Sequence, residues 1–131
     1  MKDSDLKRLI HIKSYCEDIA DAINRFGADY DTFLNDIHYA NSVSMSIMQI
    51  GELSSGLSEG FKGQTINQMQ WSLMKSMRNM FAHAYASMNK EVIWETATQD
   101  IPALQEFCNK IVERDAKELS KPAKRIDDLS R

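Results

Sequence analysis

Two prolines and five glycines in 131 residues are too few for a collagen-like, low-complexity or linker-rich chain. The two cysteines, Cys16 and Cys108, make no disulfide framework. Each falls in an apolar helical pattern, so they read as buried thiols rather than as a disulfide or a metal pair. No run approaches the roughly 18 uninterrupted apolar residues of a membrane span, and the start, MKDSDLKRL, lacks the apolar stretch of a signal peptide. The expectation is a cytoplasmic protein with no membrane contact. Excess positive charge is also missing: the formal net charge is −3, so nothing draws the whole chain to nucleic acid, and an RNA partner needs a local basic patch. Strand-like alternation and internal repeats are lacking too.

What remains is an ordinary globular mix, 43% apolar and 27% charged, long enough for one domain with a real core. Leu6, Leu9, Ile10, Cys16, Ile19, Ile23 and Phe26 recur at three- and four-residue steps, which predicts an amphipathic helix over roughly 4–26. Gly27 stops it, and Asp29 or Asp31 can cap the next. The second helix carries Phe33, Leu34, Ile37, Ala40, Val43, Ile47, Ile50, Leu53 and Leu57. Met45 and Met48 lie off its main stripe, so it suits a central place or a dimer interface. Three glycines between Gly56 and Gln64 read as a turn region. A third helix from near Asn67 includes Trp71, Leu73, Met74, Met77, Met80 and Phe81. Asn89 is fitted to cap a fourth, containing Ile93, Trp94 and Ala97. Pro102 predicts a break or kink near Asp100, before a last apolar stretch through Leu104, Phe107, Cys108, Ile111 and Val112. The fold class is all-α, an up-and-down bundle of four helices, or five if the proline divides the last. Residues 1–115 form the domain and 116–131 a charged tail.

The octet RNMFAHAY, 78–85, ends the third helix, where a core needs no arginine, histidine or tyrosine. On a helical wheel Arg78 lies about 40° from Met74, inside the apolar stripe. An unpaired buried charge costs several kcal/mol, so Arg78 must meet a carboxylate, a subunit boundary or an anionic ligand. Glu52 can pair with it at rest, or stand solvated on its own helix face. His83 falls about 140° round from Arg78. A shared site therefore needs the helix to end or bend within 79–83, or two copies of the chain to bring their segments together. Lys75 and Arg78, with Lys62 and Lys90, could line one side of a cleft, and the tail adds Lys117, Lys121, Lys124 and Arg125. His11 and His38 have no comparable surroundings and read as structural or solvent-facing.

Taken whole, R-N-x-x-x-H-x-Y resembles the R-x4-6-H motif of HEPN-domain ribonucleases, and their HepT-like branch in particular. QIGEL at 49–53, Trp71 seven residues before Arg78, and VIWETATQDIPAL at 92–104 are similar to the corresponding stretches of that branch, in the same order. The resemblance covers about 5–115.

It implies a HEPN-like homodimer that cuts RNA without a metal ion or other cofactor, as the toxin of a toxin-antitoxin pair. The expected partner is a nucleotidyltransferase antitoxin that adds AMP to the motif tyrosine. On that likeness Arg78 and His83 are the catalytic pair, Asn79 their polar neighbour and Tyr85 the AMP acceptor. Transfer RNA is the first candidate substrate, though no residue here reads a base. Two other readings stand beside this one. A non-catalytic interaction module would show no ribonuclease activity, and a nucleotide-binding regulator would show a thermal shift with ATP or AMP and no cleavage.

Overall fold

The computed structural model describes residues 1–84 and 89–119, with side chains through 81 and from 89 to 116. Its elements are α1 (Asp3–Phe26), α2 (Tyr30–Asn35), α3 (Ile37–Ser55), α4 (Glu59–Gln64), α5 (Trp71–Ala84), α6 (Lys90–Glu95), a π-helical turn (Thr96–Asp100) and α7 (Ile101–Leu119). No strand occurs among the described residues, so the all-α expectation holds. None of the described helices is long and apolar enough to cross a membrane.

α1 lies against α3 and α7, and α3 also packs against α5. Leu9, Ile12, Cys16 and Ile19 of α1 meet Val43, Ile47 and Ile50 of α3 and Leu104, Cys108 and Ile111 of α7 in one buried core. Both cysteines are free and fully buried. Burial pushes both thiols up, Cys108 to about 12.

Gly27 ends α1 at φ 114°, a left-handed conformation that costs a glycine little. Asp29 caps α2 by accepting the Thr32 N–H at 3.0 Å, and Asn89 caps α6 by accepting that of Glu91 at 2.8 Å. Asp31 is not the cap.

Three expectations need correction. The second helix is two, because Asp36 takes an extended backbone and its carboxylate accepts the N–H groups of His38 and Tyr39, starting α3 afresh. Leu34 and Ile37, assigned to the apolar stripe, flank this break and are exposed. The glycine-rich stretch is not all turn: Ser58 accepts the Phe61 N–H and caps α4, an interaction that outweighs the glycines' reluctance. Finally, the third helix begins at Trp71 rather than near Asn67.

Pro102 perturbs its helix without dividing it. The backbone passes from α6 through the π turn into α7, a local shift in hydrogen-bond register just before a residue that has no N–H to give. Among the described residues the bundle thus has four long helical segments, with α2 and α4 as short spacers.

Asp5 of α1 bonds to Ser58, the residue that caps α4. Its buried carboxylate accepts the Ser58 O–H at 2.6 Å and the Ser58 N–H at 2.8 Å. Burial raises this carboxyl, but the two Ser58 bonds and the charges of Lys2 and Arg8 outweigh it and hold the group below its ordinary value. The start of α4 is thereby tied to α1.

Candidate active site around Arg78

The site is built where α3 crosses α5. Gly51 sits on α3 facing Arg78, and a Cβ there would lie 2.7 Å from Arg78 Cβ, 3.2 Å from the Met74 carbonyl oxygen and 3.3 Å from Arg78 Cα. A glycine inside a helix costs about 0.5–1 kcal/mol relative to alanine. Here it lets two helices approach more closely than any side chain permits. That approach sets Glu52, the next residue, against Arg78. Gly51→Val is expected to force the helices apart and destabilise the fold by about 1–3 kcal/mol. A thermal unfolding midpoint equal to that of the unsubstituted protein would show that the crossing is not tight.

Arg78 Nε–H donates to Glu52 Oε1 at 2.8 Å, and Nη1 reaches Asn79 Oδ1 at 3.5 Å. Arg78 is therefore not aimed into apolar neighbours as its wheel position suggested. It lies at the stripe's edge, with its side chain 35% exposed and that of Glu52 54% exposed. An ion pair this open contributes at most about 1 kcal/mol, so its main effect is orientation: the carboxylate fixes the Nε edge of the guanidinium.

Trp71 fixes the other end of α5. Its indole Nε1–H donates to Thr65 Oγ1 at 2.9 Å, and Thr65 in turn donates to the Phe61 carbonyl at 2.8 Å. The ring stands edge-on to Phe107 of α7, with centroids 5.8 Å apart. Trp71, seven residues before Arg78, thus holds α5 against α4 and α7.

Between the end of α3, α4 and the start of α5 lies a cleft of about 550 Å³, lined in part by Lys62, Lys75 and Arg78. The structure brings these three expected cations together. Lys90 lies outside this lining. The tail cations Lys121, Lys124 and Arg125 lie outside the described residues, as does the Lys117 side chain.

α5 continues as an α-helix through Ala84, so it does not end within 79–83. Arg78 and His83 keep positions about 140° apart round its axis. The His83 side chain and all of Tyr85 lie outside what the structure describes. Among the described residues no three His, Cys, Asp or Glu side chains are grouped to hold a metal ion.

The ribonuclease HepT-like family matches residues 12–111, from α1 to the middle of α7. The chain belongs to the HepT-like ribonuclease family. A protein named "probable ribonuclease HepT" from Thermococcus cleftensis is 34% identical over 98 residues, covering 71% of this chain and 88% of its own. A provisionally named RNase from Caldanaerobacter subterraneus subsp. tengcongensis is 26% identical over 107 residues, 82% of this chain and 93% of its own. Another from Methanocaldococcus jannaschii is 29% identical over 103 residues, 78% and 83% respectively. No solved structure matches the chain. Membership in the HepT-like ribonucleases supports an RNase. The feature that sequence reasoning left uninterpreted in this member is Gly51: a glycine inside a strongly apolar helix was the available signal.

Proposed function

We propose that this chain is a metal-independent endoribonuclease, active as a homodimer. In this reading it is a toxin silenced when a nucleotidyltransferase antitoxin adds AMP to Tyr85. The observation that carries it is the Arg78 guanidinium, braced through Nε by Glu52 beside a cleft lined by two lysines.

The chemistry can run on protein side chains alone. A base removes the proton of a ribose 2′-hydroxyl, the oxygen attacks the adjacent phosphorus, and the 5′-oxygen leaves with a proton from an acid. His83 suits the proton transfers, because imidazole titrates near neutrality. Arg78 suits the charge developing on the phosphate oxygens, because guanidinium stays charged and presents a planar fork of donors. Asn79, against Arg78 Nη1, helps to hold that fork.

One histidine cannot easily be both base and acid, and within one chain Arg78 and His83 occupy different sides of α5. A second copy resolves both difficulties by supplying its own pair across a symmetry axis. The exposed Met45 and the mainly apolar hollow of about 420 Å³ lined by Met45, Met48 and Phe81 with Asn41 and Ser44 support a surface for such a copy.

In the silencing step, Tyr85 oxygen attacks the α-phosphate of ATP, pyrophosphate leaves, and the phenolic proton goes to the partner enzyme's base. The bound AMP adds bulk and negative charge to the segment that carries Arg78 and repels RNA.

One experiment tests the scheme. Purified, unmodified protein should cut RNA, transfer RNA included, in the presence of a chelator and leave 2′,3′-cyclic phosphate and 5′-hydroxyl ends. Co-expression with the antitoxin should add AMP mass and suppress cutting, and Tyr85→Phe should gain no mass. Cleavage abolished by the chelator, or 3′-hydroxyl ends, would refute the chemistry. AMP mass retained on Tyr85→Phe would refute the acceptor.

A further inference from the structure

We propose that the cleft beside Arg78 is a phosphate-binding track for the RNA strand, in which Lys62 and Lys75 hold backbone phosphates flanking the one cut at Arg78. The proposal rests on the ribonuclease reading and adds to it where the rest of the substrate lies.

Two features point this way. First, charge is concentrated here against the trend of the chain: the net charge is −3, yet the cleft lining holds three cations and one carboxylate, Glu59, and the balance stays positive with Glu52, which bonds Arg78 from outside the lining. Glu59 lies 3.2 Å from Lys62; the Lys62 side chain is 21% exposed but that of Glu59 is 93% exposed, so the carboxylate can turn away into solvent and a phosphate can take its place. Second, Lys75 and Arg78 are three residues apart on α5 and so share one face, with Ser72 a further three residues back. They form a row of cation, cation and hydroxyl along one helix, suited to successive phosphates of a single strand.

The volume, about 550 Å³, is that of a site for a molecule of nucleotide size, and Ile66, 64% exposed on its lining, offers an apolar surface to a base. Nothing in the lining presents the convergent donors and acceptors that would read a base edge. The site therefore binds backbone without choosing sequence.

The test uses the full-length protein and a short single-stranded 2′-O-methyl oligoribonucleotide, which has no free 2′-hydroxyl and cannot be cut. Binding is measured across a salt series. Each cation that neutralises a phosphate on a single strand adds about 0.7 to the slope of log affinity against log salt. Lys62→Ala/Lys75→Ala should therefore lower that slope by about 1.4 per site, and Lys62→Gln/Lys75→Gln, which keeps the side-chain stems, should match it. Arg25→Ala is the control: Arg25 lies about 30 Å along α1 from Asp5, which anchors α4, and its loss should leave the slope unchanged. AMP should compete only weakly.

An oligonucleotide that binds the double variants with the wild-type slope overturns the track and leaves cleavage by Arg78 and His83 standing. AMP that binds as tightly as the oligonucleotide makes the cleft a mononucleotide pocket and also overturns it. A wild-type protein that neither binds the oligonucleotide nor cuts RNA overturns both readings together.

Discussion

His83→Ala is expected to slow RNA cleavage by about 10²–10⁴-fold, the range that a positioned acid or base contributes. If two histidines of a dimer divide the roles of base and acid, the substitution removes both at once, and the loss should lie toward the upper end. The rate to measure is that of the single-turnover cut with protein in excess, which separates chemistry from product release. The bundle should be unaffected, because the core is built from Trp71, Met74, Met77 and Phe81 on this helix. A variant that cuts at the wild-type rate would remove His83 from the chemistry.

Arg78→Ala should cost about 10²–10³-fold, comparable with removing one charge-stabilising donor from an enzyme that holds a developing oxyanion. The more discriminating substitution is Arg78→Lys. Lysine keeps the charge but has neither the Nε–H that Glu52 engages at 2.8 Å nor the planar fork, so it should recover little of the loss. Because the ion pair contributes at most about 1 kcal/mol, neither substitution should shift the unfolding midpoint by an amount that explains the lost rate. Full activity in Arg78→Lys would mean that charge alone matters, and the bracing by Glu52 would lose its significance.

The sequence carried much of this arrangement where the controlling interaction is local. The period of α1, the Asp29 and Asn89 caps and the left-handed Gly27 depend on a few neighbouring residues and were legible. That Arg78 needs a carboxylate or a ligand was legible too, but the sequence left Glu52 open between this pair and a solvated place, and the structure shows the pair. The misses have tertiary or competing causes. Asp36 interrupts an apolar pattern that continues on both sides of it, and only its capping geometry shows that the helix restarts. α4 is short and glycine-rich, and it is held by Ser58, which Asp5 grips from 53 residues away. Gly51 looks like a defect in α3 until α5 is laid across it.

The two buried thiols have a practical consequence. Cys16 and Cys108 are the chain's two cysteines, both fully buried, on helices that pack against each other. Burial keeps them in the unreactive protonated form at neutral pH. An alkylating reagent can reach them only when α1 and α7 separate, so its rate of uptake is a built-in clock for opening of the bundle. With no surface thiol to contaminate the signal, that clock can be read in the unaltered sequence, with bound RNA or without it.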